Sequence, residues 1–341
     1  MRLLVAGGAG FIGSEFVRQT IARHPEDSVV VLDKLTYAGN EQNLASVADT
    51  RDFRFVHGDV CDMELVDTLV RDVDVIVNFA AESHVDRSLE APGQFIQTDV
   101  YGTFVLLEAA RRAEHSRFLQ VSTDEVYGDI ETGTSSETDP LRPRSPYSAS
   151  KAGAELMVWA YRASYGTPVI TTRGSNTYGP YQYPEKIIPL FITNAIDDQP
   201  LPIYGDGGAV RDYLHVADHA RGIDTALRMG IPGEDYNIGF GGATSGLEVA
   251  DLVLGALDKP ATLKQHVRDR LGHDRRYAVD TTKLRTLGWR PEMSLDRGLR
   301  ETVDWYRSNQ DWWRPLKSGE FWDFYRRNYK PLHAGAAQGP L

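Results

Sequence analysis

The run Gly8-Ala9-Gly10-Phe11-Ile12-Gly13 constrains this chain more than any other, because it spells GxGxxG between a short apolar run, Leu3 to Ala6, and a helix-like segment reaching Arg23. Glycines at that spacing allow a tight turn, close approach of the backbone to a pyrophosphate, and packing of the helix on the strand. Gly8 and Gly10 are expected to serve the turn and the approach, and Gly13 the packing. The helix N-terminus adds a favourable site for an anion. A second strand, Ser28 to Asp33, ends on a carboxylate. Asp33 can accept hydrogen bonds from the adenosine ribose hydroxyls and would repel a 2′-phosphate, so the loop reads as a site for NAD rather than NADP.

Further strands are expected at Phe53 to His57, Val73 to Phe79, Arg117 to Val121 and Val169 to Arg173, alternating with helices at Met63 to Arg71, Pro92 to Ala113 and Pro146 to Tyr165. Such alternation predicts an α/β fold, a Rossmann-type doubly wound parallel sheet covered on both faces. After Ser175 the pattern turns irregular, broken by Pro180, Pro184, Pro189, Pro200 and Pro202, which suits a smaller C-terminal substrate-binding domain. The expected division is 1–175 for NAD and 176–331 for substrate, with segments near 213–240, among them Val216 to Arg228 and Asp235 to Ile238, returning to the first. The last residues, 332–341, read as a disordered tail.

Composition narrows the function. A formal charge of −11 over 341 residues argues against a nucleic-acid surface, so an anionic ligand must be caught by a local basic cluster. Cys61 is the sole cysteine, which excludes an intrachain disulfide and a thiolate zinc cluster, and the histidines show no HExxH spacing. No metal is expected. No apolar run approaches the roughly 20 residues of a membrane helix, and the chain reads as cytoplasmic, without a membrane partner.

Tyr147-Ser148-Ala149-Ser150-Lys151 supplies the reacting groups, with Ser145 as candidate N-cap and Pro146 at the first helical position. Lys151 lies one turn on from Tyr147, on the same face, where its ammonium is expected to favour the phenolate. Beside an NAD loop this pair points to hydride transfer, Tyr147 removing a hydroxyl proton while Lys151 also holds the ribose. Thr123 can hydrogen-bond the same hydroxyl. Asp124 and Glu125 exceed what oxidation needs: eliminating water beside a carbonyl calls for one base and one acid, which two carboxyls with separated pKa values provide. Asp59 and Val60 lie past one strand end, where a carboxylate can face the adenine amino group, and Phe79-Ala80-Ala81-Glu82-Ser83 past another, where small residues admit the cofactor.

These segments together resemble the nucleotide-sugar 4,6-dehydratases of the extended short-chain dehydrogenase/reductase superfamily, most closely those acting on dTDP-glucose. The resemblance runs from Met1 to about Tyr329 and rests on Gly7 to Gly13, Asp33 to Asn40, Ala80 to Ser88, Ser122 to Gly128, Tyr147 to Lys151, Tyr178-Gly179-Pro180-Tyr181 and Gly272 to Tyr277. It implies that Tyr147 acts as base while C4 of the glucose is oxidised, Glu125 takes the C5 proton as Asp124 protonates the departing C6 hydroxyl, and hydride then returns to C6. By the same resemblance Gly7, Gly10, Phe11, Ile12, Gly13, Asp33, Lys34, Leu35, Thr36 and Thr98 belong to the cofactor site, Thr177 sits by the nicotinamide, and Ser83 and Thr123 touch the sugar. The nucleotide diphosphate falls to Asn176, Lys186, Ile187, Pro202, Ile203, Tyr204, Arg211, Asn237 and the stretch from Arg270 through His273 and Asp274, with Tyr277 close by. Lys186, Arg211 and Arg270 are the local positive charge an acidic chain needs. A homodimer packing helices Pro92 to Ala113 and Pro146 to Tyr165 against their mates is also implied.

Two departures stand out. Leu271 replaces a proline, and Gly174-Ser175-Asn176-Thr177 replaces Cys-Ser-Asn-Asn. Rival readings differ after Thr123: a 4-epimerase needs the tyrosine and lysine without an acid pair, and GDP-mannose dehydratases resemble a Ser-Glu version lacking Asp124. A nucleotide-sugar sensor would be free to lose the reacting groups. Thymine and uracil differ by one methyl, so a UDP-glucose 4,6-dehydratase stays open.

Overall fold

The structure is a computed structural model that describes residues 1–270 and 272–329. Leu271 and the tail at 332–341 lie outside the described residues. Seven parallel strands form the central sheet, in the order Asp235–Ile238, Val169–Gly174, Arg117–Thr123, Val75–Asn78, Arg2–Ala6, Ser28–Asp33 and Phe53–His57. The order reverses at Arg2–Ala6, so the crevice between it and Val75–Asn78 is the switch point where open α/β sheets bind ligands.

Alternation of side chains along a strand explains why these runs are apolar throughout. Leu3 and Val5 pack on one face with Phe16, Val17, Ile223 and Leu227, whereas Leu4 and Ala6 pack on the other with Ile76, Val105, Leu106 and Val158. Three expected strands, Ser28–Asp33, Phe53–His57 and Asp235–Ile238, have the observed bounds. The fourth is shorter than expected, Val75–Asn78, because only those residues register with Leu3 to Ala6.

Helix Pro146–Tyr165 starts where the capping signal placed it, Ser145 and Ser148 bonding reciprocally. The expected helix from Pro92 is not uniform. A π-helical stretch, Ile96–Tyr101, separates helix Pro92–Phe95 from helix Gly102–Arg112. Asp99 lies in that stretch, where its carboxylate accepts from Ser150 Oγ at 2.6 Å and from the Glu82 N–H at 2.9 Å. Such wide turns frequently mark functional sites.

Beyond Ser175 the strands are short pairs: Asn176–Tyr178 with Tyr213–His215, Leu201–Tyr204 with Lys264–Val267, and Val210–Arg211 with Thr244–Ser245. Helices Ile187–Ile196, Gly246–Leu257 and Leu295–Ser308 surround a separate core that includes Phe191, Ile192, Ile203, Val253 and Tyr306. Pro189 does not break the first of these, since it falls in the opening turn, where no N–H is required. Among the side chains that tie the two regions, Asn43 donates to the Ala9 carbonyl at 2.9 Å and accepts from Trp312 Nε1 at 3.1 Å. No helix among the described residues is long and apolar enough to cross a membrane.

Candidate active site

Strand Arg2–Ala6 delivers the chain into Gly7, whose φ of 73° lies in the left-handed region. A Cβ there would stand 2.5 Å from the Ala80 nitrogen, so this residue makes the tight turn. The sequence reading gave that task to Gly8, which instead turns toward Val31, a Cβ on it meeting that side chain at 2.8 Å. Gly13 is bound to the loop itself: its Cβ would lie 2.4 Å from the Gly7 carbonyl oxygen. Asp33 accepts from the Ala9 and Leu35 N–H groups, both at 2.9 Å, so it braces the glycine loop as well as facing the crevice. Burial raises its pKa, against those backbone bonds.

A cavity of about 270 Å³ follows the strand ends. Gly7, Gly10, Phe11, Ile12 and Gly13 line it from the glycine loop, and Asp33, Lys34, Thr36, Asp59 and Val60 from the next two strand ends. Lys34 Nζ and Asp59 pair at 2.6 Å. Phe79, Ala80, Ala81, Ser83 and Thr98 follow, and Thr123, Glu125, Tyr147, Lys151, Asn176, Thr177 and Lys186 line the far end. A second cavity, about 150 Å³, opens among Ile187, Pro202, Ile203, Tyr204, Arg211, Arg270 and His273. Glu125, Asn176, Glu185 and Lys186 line both, so the cavities meet there.

Five sequence-derived candidates line neither cavity, Asp124 among them. Leu35 (φ 53°) forms the turn after Asp33. Asn237 is wholly buried, donating to the Ser135 carbonyl at 3.1 Å and accepting from the Tyr127 hydroxyl at 2.8 Å. Tyr277 donates to the Asp274 carboxylate and lies under the Arg211 guanidinium, 4.4 Å from its ring centre. Arg211 Nη2 in turn donates to the Asp274 carbonyl at 2.8 Å, so Asp274 and Tyr277 hold Arg211 from behind.

The acid pair occupies unequal environments. Asp124 is 2% exposed and lines neither cavity; its Oδ1 lies 3.4 Å from Thr123 Oγ1, and its Oδ2 has no partner. Burial, then the charges of Glu125 and Asp212, push its pKa well above the carboxylate range. Glu125 is also raised by burial, but Arg270, Arg211 and Lys186 pull it down. The field of those bases shows at His84, whose pKa burial, Lys186 and Arg270 drive well below the usual imidazole value.

Tyr147 differs from expectation. Burial and the Glu125 and Asp99 carboxylates push its pKa well up, opposed by a hydrogen bond with Thr123. Lys151 Nζ donates to the Val121 carbonyl at 2.8 Å. Burial lowers its own pKa, against Asp99 and Glu155. The sequence reading also passed over Asp99, Glu185 and His219. Glu185, bonded to Arg87 at 3.0 Å, adjoins Lys186 in a proline-broken loop, and that adjacency was the available signal. His219 carried none.

The features of a dinucleotide site are present: a glycine loop turned tightly against the Ala80 backbone, the helix start behind it, and the buried, unpartnered Asn176 Oδ1 in the lining. A family model described as GDP-mannose 4,6 dehydratase matches residues 4–302. The chain belongs to this dehydratase family. A dTDP-glucose 4,6-dehydratase of Streptomyces niveus is 52% identical over 323 residues, 93% of this chain and 96% of its own. The dehydratase fold superposes on the crystal structure of DesIV, the dTDP-glucose 4,6-dehydratase of Streptomyces venezuelae with NAD and dTDP bound, at 52% identity and a TM-score of 0.91, covering 93% of this chain and all of that one. The UDP-glucose 4-epimerase of Thermus thermophilus, solved with NAD, also aligns, at 34% identity and a TM-score of 0.84 over 91% of this chain and all of its own. Fold therefore does not separate dehydration from epimerisation; the residues after Thr123 must.

Proposed function

We propose that this chain is an NAD-dependent dTDP-glucose 4,6-dehydratase, a hydro-lyase converting dTDP-glucose to dTDP-4-keto-6-deoxyglucose and water. The observation that carries the reading is Glu125 at the junction of the two cavities, facing three bases, with Asp124 buried directly beside it and raised well above the usual carboxylate value. NAD held along the glycine loop would supply the acceptor for the C4 hydride and its return to C6, with Glu125 giving the C5 proton back at that stage. Tyr147 accepts the C4 hydroxyl proton and Thr123 orients that hydroxyl. The 4-keto group acidifies the C5 proton, which Glu125 removes, and Asp124 donates its proton as the C6 hydroxyl leaves as water. Lys151 holds the ribose, and Lys186, Arg211 and Arg270 receive the diphosphate. Asp33 binds the adenosine ribose.

Residues 1–175 with 213–240 serve as the NAD domain and 176–331 as the sugar-nucleotide domain. Ile96, Leu156 and Trp159, 54%, 61% and 63% exposed on the π-helical stretch and on helix Pro146–Tyr165, support a homodimer through those helices. Cys61, its thiol pKa raised by burial to about 11, suits a reducing cytoplasm.

Purified protein given dTDP-glucose should yield a product lighter by one water with no NAD added once loaded. Formation of a 4-epimer alone, or no turnover with NAD present, defeats the proposal. Running UDP-glucose and GDP-mannose beside it tests the choice of base and sugar.

A further inference from the structure

At the reaction end of the first cavity stands an imidazole with no part in the scheme above. His219, in helix Val216–Met229, is 2% exposed and lines the cavity, and its Nε2 is buried without a partner. Its Nδ1 lies 2.7 Å from Thr177 Oγ1. Gly174, the last residue of its strand, lies against the ring: a Cβ there would stand 2.3 Å from Cε1 and 2.4 Å from Nε2. Both departures from Cys-Ser-Asn-Asn, at 174 and 177, thus touch one side chain. Any other residue at 174 would displace the ring.

One tautomer satisfies both contacts of the Thr177 hydroxyl. The single hydroxyl proton of Thr177 goes to the Ser175 carbonyl, 3.0 Å away, so Oγ1 accepts from Nδ1–H and Nε2 keeps a free lone pair. Burial lowers the imidazole pKa to about 4, so the ring is neutral at neutral pH and does not repel a cationic neighbour. A buried acceptor of this kind is costly unless a ligand donor meets it. The nicotinamide end of the cofactor offers one such donor, the carboxamide NH₂.

We infer that His219 reads the nicotinamide carboxamide, its Nε2 accepting an N–H from that group, with Thr177 fixing the tautomer and Gly174 making room for the ring. The inference rests on the NAD reading and adds a selectivity to it. The test equilibrates holoenzyme with equal concentrations of NAD and a competitor, desalts it and measures the retained nucleotides. The acetylpyridine analogue of NAD keeps the carbonyl and lacks the NH₂; the thionicotinamide analogue keeps the NH₂; ADP-ribose lacks the ring altogether.

The unmodified chain should retain NAD about tenfold over the acetylpyridine analogue and hold the thionicotinamide analogue nearly as well as NAD. His219→Leu should bring the acetylpyridine ratio to about one, with ADP-ribose retained as before. Thr177→Val, a milder change, should lower it about threefold. Unchanged acetylpyridine ratios in both variants, or an equal fall in ADP-ribose retention, would overturn the inference, and so would selectivity against the thionicotinamide analogue that vanishes with His219. A chain that retains ADP-ribose and neither dinucleotide would defeat the NAD reading itself.

Discussion

Before Ser175 the cavity residues come from the C-terminal ends of parallel strands and from the helices packed on them, Thr98, Tyr147 and Lys151 among the latter; after it they sit on ladders two to four residues long, on helices and on the turns between them. In the first region the sheet sets position, and a side chain needs only to follow a strand end to face the crevice. In the second, position comes from bonds between side chains and distant backbone, such as Arg211 to the Asp274 carbonyl and Lys186 to the Ser83 carbonyl. On the proposed division, the sheet-set frame serves the cofactor and the surround held by side-chain bonds serves the sugar nucleotide.

The sharpest test lies where the regions meet. Asp124→Asn should leave C4 oxidation intact and slow elimination about 10² to 10⁴-fold, seen as reduced cofactor accumulating in a single turnover; unchanged dehydration would remove Asp124 as the acid. Gly7→Ala, with a Cβ driven onto the Ala80 backbone, should cut NAD retention about tenfold to a hundredfold while sparing dTDP affinity. Lys186→Ala should do the reverse, raising the KM for dTDP-glucose about tenfold with NAD retained. Loss of both ligands in either variant would break the division. Trp159→Glu should shift sedimentation from the proposed dimer to monomer, since a charge would then face the apolar contact that dimer requires.

The smallest effect is on stability. Burial raises the Asp124 carboxyl well above its ordinary value in the fold, whereas in the unfolded chain it ionises near about 3.9. Stability is therefore full at low pH and falls as pH rises through that value toward the raised folded one. Asp124→Asn should raise Tm at neutral pH, and the gain should fade below about pH 4 in calorimetry.

What the sequence made legible follows the same divide. Periodicity and the glycine spacing placed the strands and the cofactor loop because each residue's role there is local. Tyr147 and Lys151 were placed by a capping signal, yet their electrostatics were not, since burial and Asp99 come from a neighbouring helix whose π-helical stretch leaves no mark on periodicity. Asn237, Asp274 and Tyr277 sit behind the cavities because chain adjacency does not distinguish a contact residue from the one that steadies it. His219 stayed hidden because its meaning depends on Gly174 and Thr177, over forty residues earlier in the chain.

Asn43 has a consequence for anyone recombining relatives of this chain. Its amide holds the Ala9 carbonyl and its oxygen receives the Trp312 indole, although it belongs by position to the first region. A chimera exchanging the later region must therefore carry position 43 along with it. Cutting only at the apparent boundary would set an indole with no acceptor against the glycine loop.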